Sequence, residues 1–425
     1  MKMKKSSIEK YYSYVTSKGL KISIVKRDNS SSFHMAMLVN FGGVDTNFIT
    51  LKNKQYIKTP KGIAHFLEHK MFESKNKDTF ERFSKQSASI NAYTNGTATV
   101  YYFSCTDKID ENIKLFLNCL SNPYITPENV EKEKGIIIQE INMYQDNPSS
   151  KVYENLLKGM FHRNHIKYDV AGTKEDVESI TFESLMTCYN TFYNCRNMEL
   201  VIVGQVDPER IFSLIDSIEG FGSGDKALKI YPSEIMKVKE ETIEEVMPVV
   251  DTRFLIGFKL DTKGLKGREI LRKEIMYNMI LEYLCGNMSP FFERLYNEAY
   301  IDSSFGYGVN LHSKFAFNVL GGVSRDPKKV LDEFYKDVYK LIGDGIEEDG
   351  FNNIKKMMLG NYTRIFDDSF SLLNNIISTK NKGGCFLEVI DIVKSIDIYD
   401  LNEALNQGFG KDRTTLSMIK PLNLK

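Results

Sequence analysis

His65-Phe66-Leu67-Glu68-His69 is the stretch on which the reading of this chain turns. In a helix each residue advances by about 100°, so positions 65, 68, 69 and 72 gather on one face and Ile63, Phe66, Leu67 and Met71 on the other. The two histidines then stand one turn apart, close enough to hold one ion, with the Glu68 carboxylate beside them. Thr59-Pro60 just upstream reads as an N-cap followed by a first-turn proline. With 6 His and 56 Asp+Glu in 425 residues, such a pattern is expected by chance only about 0.01 times.

A metal that works on a substrate takes three protein ligands and keeps a fourth position for water. The third ligand is expected on another element. Thr126-Pro127-Glu128 opens a second helix, over 127–145, on which Glu133 and Glu140 lie seven residues apart and share a face. Spacing alone does not choose between them. Ile136, Ile137, Ile138 and Ile141 surround Glu140, which points to burial, and a buried carboxylate needs a partner. Two further histidine arrangements are set aside. His162-Arg163-Asn164-His165 lies in a polar, turn-rich segment and reads as a surface loop. His34 alternates with Phe33 and Met35 in a strand and reads as structural.

Outward from the motif, 20–26 and 33–41 have the alternation and β-branched content of strands, with a turn at Asp28-Asn29-Ser30. A helix is expected over 61–74, a strand over 98–105, helices over 108–121 and 127–145, and a buried strand over 198–204 closed by Asp207-Pro208. This order favours α+β over a doubly wound parallel sheet. Gly220-Phe221-Gly222-Ser223-Gly224-Asp225-Lys226 reads as a linker, followed by Pro232 and a charged stretch at 237–245. The order then recurs: strand 252–260, helices across 268–284, strands within 307–323, helix 327–342 and strand 414–419. The second half reads as a diverged copy of the first in which His312 is the only histidine.

Composition narrows the function. A length of 425 residues suits two domains. Hydrophobic residues at 42% and charged residues at 26% are soluble globular values. Lys+Arg and Asp+Glu balance at 56 each, which gives no reason to expect nucleic acid or an acidic membrane surface as partner. Met1-Lys2-Met3-Lys4-Lys5 is basic, but Ser6-Ser7-Ile8-Glu9 offers no apolar stretch to follow it. No run approaches the roughly 18 apolar residues of a membrane helix, and the chain reads as cytoplasmic. The six cysteines (105, 119, 188, 195, 285 and 385) have no metal-binding spacing and are expected to be reduced and buried.

The motif and its surroundings resemble the inverzincins, the pitrilysin-like (M16) peptidases. Their signature is His-x-x-Glu-His, followed about seventy to eighty residues later by a glutamate ligand. Here Glu140 follows His69 by 71 residues. Gly62-Ile63-Ala64, Met71-Phe72, Asn91-Ala92-Tyr93-Thr94, Glu131-Lys132-Glu133-Lys134-Gly135, Gln139-Glu140-Ile141, Ala171-Gly172-Thr173, Asn197-Met198 and Val203-Gly204 match as well. They cover most of 20–210, and the likeness is to the bacterial single-chain type, particularly the YmfH-like group. The resemblance implies one Zn2+ per chain on His65, His69 and Glu140, Glu68 as general base, and Glu133 as a catalytic-site residue supporting the ligands. It further implies that Asn91, Ala92 and Tyr93 form an edge strand for an extended peptide. The expected fold is two homologous α+β domains, 1–222 and 236–425, each an antiparallel sheet covered by helices, enclosing a peptide-sized chamber.

One departure matters. Family members commonly hold substrate with an arginine and a tyrosine in the second half. Aligning Gly286-Asn287-Met288-Ser289-Pro290-Phe291-Phe292-Glu293-Arg294-Leu295-Tyr296-Asn297-Glu298 puts Tyr296 where the arginine is expected, with Arg294 out of register and Tyr307 as the tyrosine. The expected activity is that of a metalloendopeptidase acting on peptides or unfolded segments, with three finer readings. It is a general peptidase, a maturase of one ribosomally made peptide, or a silent scaffold subunit. The expected partner is a homologous subunit, in a heterodimer or homodimer.

Overall fold

The computed structural model describes residues 2–5, 10–28, 30–75, 78–218, 220–224 and 226–422. The turn residue Asn29, Asp225 of the glycine stretch, and Met1 with residues 6–9 of the basic start lie outside the described residues. The chain forms two compact units, one of 1–141, 169–231 and 365–381, the other of 142–168, 232–364 and 382–425.

The first unit is built on a seven-stranded sheet in the spatial order Lys2–Lys5, Lys10–Val15, Lys21–Lys26, Met198–Gly204, Phe33–Val39, Thr99–Cys105, Ala88–Thr94. Phe33–Val39 is buried along its whole length, as suits a strand covered on both faces. The second unit has a five-stranded sheet in the order Thr242–Met247, Thr414–Pro421, Arg253–Lys259, Phe315–Val323, Gly306–His312. Numbered along the chain, the five strands of the second sheet run 1-5-2-4-3 in space, and strands 21–26 through 88–94 of the first repeat that order. In each sheet strands 1 and 5 are parallel and the remaining pairs of the five are antiparallel. The fold is therefore α+β with two units of one wiring. The expected antiparallel sheets are found, each with one parallel pair where strands 1 and 5 meet.

Packing crosses the linear division at 222 and 236 in both directions. Helix Pro148–Met160 lies on strands Arg253–Lys259 and Thr414–Pro421 of the second unit, where Ser417 Oγ donates to the Val152 carbonyl at 2.8 Å. Helix Ser369–Asn381 lies on Phe33–Val39 and Met198–Gly204 of the first. There Phe370 packs its ring 5.6 Å from His34 and 5.5 Å from Tyr102. The segment after the glycine stretch is anchored to the first unit. Leu228–Lys229 pairs with Asn47–Thr50, and the buried Asp45 carboxylate accepts from Lys229 Nζ at 2.8 Å and Tyr231 Oη at 2.6 Å.

The motif helix, Ile63–Met71, is seated by its first turn. Ile63, Ala64, Phe66, Leu67 and Met71 are all buried in the first unit's core. Gly62, not Thr59, is its N-cap, with φ of 81°. A Cβ there would stand 2.1 Å from the Ala171 carbonyl oxygen, and one at Gly172 (φ 78°) 2.8 Å from the Lys61 carbonyl oxygen. The motif helix and the 171–172 turn thus approach backbone to backbone, which only glycine permits. The expected Thr59-Pro60 cap is corrected for this reason. Thr59 is buried and bonds instead to the Thr46 carbonyl through its amide at 2.9 Å and its hydroxyl at 3.3 Å.

Gly62→Ala should therefore destabilise the chain by at least about 1–2 kcal/mol from the left-handed backbone alone, with more from the clash. Urea unfolding of the variant beside wild type measures it, and an Ala tolerated without a change in midpoint contradicts this seating.

Candidate metal centre

With the apolar face inward, the motif helix leaves His65, Glu68 and His69 half-buried on its other side. Phe72, expected to share that face, is buried instead, its ring set edge-on 5.5 Å from that of Tyr101. The second helix is Pro127–Gln145. Thr126 Oγ1 accepts from the Asn129 amide at 3.2 Å while Asn129 Oδ1 accepts from the Thr126 amide at 2.9 Å, so the helix start is capped in both directions. From there Glu133 and Glu140 reach the histidines, as their shared face requires.

The two glutamates meet different atoms. Glu133 Oε1 accepts from His69 Nδ1 at 3.0 Å, which leaves the His69 Nε2 lone pair facing away from Glu133. His69 Nε2 stands 3.3 Å from His65 Nε2 and 3.4 Å from Glu140 Oε2, and His65 Nε2 is 3.8 Å from the same oxygen. These three side chains are the one group among the described residues whose donor atoms lie close enough together to hold a metal ion. Two nitrogens bound at 2.0–2.1 Å to a tetrahedral ion are about 3.3–3.4 Å apart, so the histidine pair already has the spacing of two tetrahedral ligands. The donor set, two imidazoles and one carboxylate, is a zinc set.

The charges agree with that geometry. Burial, with help from neighbouring His69 and against Glu133, lowers the His65 pKa to about 4, so its imidazole is neutral at neutral pH. Its Nδ1 is buried without a hydrogen-bond partner. Burial also works to lower the His69 pKa, but the hydrogen bond and charge of Glu133, with Glu68 and Glu140 adding, raise it overall. Burial raises the Glu68 pKa against the opposing hydrogen bond from Thr94, whose Oγ1 donates to Glu68 Oε2 at 3.0 Å. Glu133 goes the other way. Burial pushes it up, but the hydrogen bond from His69 and the charge of Lys70 outweigh it and lower its pKa.

Lys70 and Thr94 are contacts that sequence reasoning assigned no role. Lys70, 1% exposed, holds Glu133 Oε2 at 3.2 Å, donates to the Asn129 carbonyl at 3.2 Å and pairs with Glu73. Its position on the buried side of the motif helix was the available signal, since a buried ammonium needs carboxylates. Glu140 is less enclosed than the isoleucines around it suggested. Its side chain is 24% exposed, because Ile136 faces outward while Ile137 and Ile141 go to the core.

Asn91, Ala92 and Tyr93 lie on strand Ala88–Thr94, at the outer edge of the first sheet and paired with Thr99–Cys105 on its inner side. Ser89, Asn91 and Tyr93 are exposed, and the Ala92 amide is taken by Asn91 Oδ1 at 2.8 Å. Tyr307 lies on Gly306–His312, the corresponding edge of the second unit's sheet, and its hydroxyl donates to Glu282. Burial, with that bond, pushes its pKa far above the usual tyrosine value. Arg294 is engaged by Glu333 at 3.3 Å and Asp337 at 3.0 Å, while Tyr296 is exposed and stacked on Phe292. Among the described residues His162 and His165 belong to no group that could hold a metal. His162 Nε2 meets the Lys237 carbonyl at 3.1 Å and His165 packs beside Tyr168. His34 lies between Ser104 Oγ at 2.6 Å and Ser32 Oγ at 3.0 Å, a satisfied structural histidine. The six thiols are unpaired, four buried and two half-buried.

Residues 57–174 match the family described as Insulinase (Peptidase family M16), and residues 179–358 match the Peptidase M16 inactive domain. The chain is 32% identical to the uncharacterized zinc protease YmfH of Bacillus subtilis over 97% of both chains. It is 28% identical to the mitochondrial-processing peptidase subunit beta of Caenorhabditis elegans over 44% of each. Among solved structures it is similar to an M16-like peptidase from Alicyclobacillus acidocaldarius, with TM-score 0.93 and 30% identity over 97% of this chain and 99% of that one. A protease from Helicobacter pylori shares the fold at TM-score 0.81 and 17% identity, over 97% of this chain and 100% of that one.

Because His69 must lose a proton before its Nε2 can bind metal, zinc affinity should fall as pH falls. Below the raised pKa of His69, each pH unit costs about tenfold. Competition with a chelator between pH 8 and 5.5 measures this. An affinity independent of pH across that range speaks against His69 as a ligand.

Proposed function

We propose that this chain, which belongs to peptidase family M16, hydrolyses peptides or unfolded segments as a zinc-dependent metalloendopeptidase. The observation that carries this reading is the convergence of His65 Nε2, His69 Nε2 and Glu140 Oε2 within 3.3–3.8 Å of one another, with the Glu68 carboxylate on the same helix face. Those three residues would hold one Zn2+, which supplies Lewis acidity toward a peptide carbonyl and toward water. Glu68 acts as general base. With Oε2 engaged by Thr94, Oε1 takes the proton of the attacking water and returns it to the leaving amine. Burial raises the Glu68 pKa, which fits a group that must both take and give a proton near neutral pH. Glu133 keeps the His69 proton on Nδ1 and so keeps Nε2 for the metal.

The substrate is an extended chain that adds to the edge strand at Asn91, Ala92 and Tyr93 by main-chain hydrogen bonds, displacing the Asn91 side chain from the Ala92 amide. Tyr307 is a further substrate-binding residue, held by Glu282. The finer reading is a maturase that trims a ribosomally made peptide. The cytoplasm of a bacterium is the proposed compartment, supported by six unpaired thiols. Arg294, neutralised by Glu333 and Asp337, is poorly placed to serve as a substrate clamp. This favours a homologous M16-type subunit that supplies one, in a heterodimer, over a homodimer.

Purified protein should carry one zinc per chain by elemental analysis, with occupancy largely lost in Glu140→Gln and retained, more weakly bound, in Glu133→Gln. The reverse order would exchange their roles. Glu68→Gln should keep zinc and peptide binding while turnover of a fluorogenic peptide falls by about 10²–10⁴-fold. A rate near wild type would remove Glu68 as base. Co-expression with a homologue encoded nearby that lacks His-x-x-Glu-His should raise turnover over the isolated chain. An isolated chain with full, unaltered activity would argue against the heterodimer.

A further inference from the structure

Thr94 ends the edge strand Ala88–Thr94 and is paired with Thr99. Its Oγ1 lies 3.0 Å from Glu68 Oε2 and 3.3 Å from Thr99 Oγ1. The Thr99 side chain is fully buried and donates its proton to the Phe41 carbonyl at 2.9 Å. The Thr94 proton therefore goes to the carboxylate, the charged and stronger acceptor.

The corner behind Thr94 has little freedom. Asn95 Oδ1 accepts from the amides of Thr97 at 2.8 Å and Ala98 at 2.9 Å. The Asn95 amide bonds to the Ala98 carbonyl at 2.9 Å, and the amides of Gly43 and Val44 bond to the carbonyls of Asn95 and Gly96 at 3.0 and 2.9 Å. Gly42 lies so close beneath that a Cβ would come within 2.4 Å of the Ala98 nitrogen. A hydroxyl mounted on this corner is a fixed point, whereas a glutamate on a helix face has three side-chain torsions to wander through.

We infer that Thr94 is a positioning residue of the hydrolytic reaction, pinning the Glu68 carboxylate by Oε2 so that Oε1 is presented to the reacting water. The inference rests on the reading of Glu68 as general base. It also gives the edge strand a second task. The backbone that takes up the peptide and the hydroxyl that aims the base belong to the same seven residues, so the base is set in register with the bound chain. Misplacement of a reacting group by about 1 Å costs on the order of 10²-fold, and loss of this one bond falls within that range.

Thr94→Val keeps the shape of the side chain and removes the donor, and Thr94→Ser restores it. Thr94→Val should lower kcat by about 10- to 100-fold with KM within about twofold, an unchanged melting temperature and full zinc content. Thr94→Ser should recover most of kcat. Placed in Glu68→Gln, Thr94→Val should cause no further loss. Crystals of wild type should hold the Glu68 carboxylate in one orientation, and crystals of Thr94→Val in more than one, a readout that needs no turnover. A wild-type kcat in Thr94→Val while Glu68→Gln is inactive overturns the role of Thr94 and leaves the base assignment standing. So does a single, unmoved Glu68 orientation in Thr94→Val. Equal loss of kcat in the Ser and Val variants, accompanied by loss of zinc, makes Thr94 merely structural and overturns it as well. A Glu68→Gln variant as active as wild type is the separate failure of the base itself.

Discussion

Two imidazole nitrogens, on His65 and His69, stand 3.3 Å apart while His69 Nδ1 donates to Glu133. They are held at that spacing by the surroundings of the helix that carries them. The core side of the motif helix forbids rotation, since Phe66 and Leu67 are wholly buried. Gly62 against Ala171 forbids sliding. Lys70 holds Glu133, and Glu133 holds the His69 ring. Donor atoms fixed in this way need not be gathered before an ion can bind, which is how a packed core is turned into affinity for an ion.

The parts of this arrangement that the sequence disclosed are those set by local rules. Phe33–Val39 and Met198–Gly204 announce themselves as buried runs of apolar and β-branched residues, and Thr126-Pro127 marks a helix start by capping chemistry that needs no tertiary partner. The seven-residue step from Glu133 to Glu140 puts both on one face whatever surrounds them. What stayed hidden depends on contacts between distant segments. Thr59 looks like a cap by type, but its hydroxyl is drawn to Thr46, and the helix begins at a glycine whose reason is a turn more than a hundred residues further on. Ile136 looks like core and faces outward, because a period of 3.6 cannot bury four isoleucines around one glutamate. Choosing Glu140 over Glu133 took the resemblance. The structure separates them by which atom of His69 each one meets.

The second unit has the same wiring without the candidate metal group. The strand order 1-5-2-4-3 is kept, with its parallel pair, while its histidines, His162, His165 and His312, join no group among the described residues that could hold an ion. Its edge strand also carries a residue bonded to a helix glutamate, Tyr307 to Glu282, as Thr94 is bonded to Glu68 in the first. Edge strand and glutamate stay tied in both, so that bond does not depend on zinc ligands being present. Arg294 illustrates the converse. It lies out of register with the arginine the family uses as a clamp, and its two carboxylate partners give it a structural role.

Helix Ser369–Asn381, which lies across Phe33–Val39 and Met198–Gly204, has a consequence for how the protein is born. The last strand of the first sheet, Met198–Gly204, leaves the ribosome well before the helix that covers it. At 5–20 residues per second the sheet waits roughly ten to thirty seconds with an apolar face open to the cell. A ribosome stalled before that helix is made releases a product that cannot finish its first unit. The same crossing makes the two halves of the chain depend on one another. Neither could be split off or shuffled by recombination without leaving its partner's sheet uncovered.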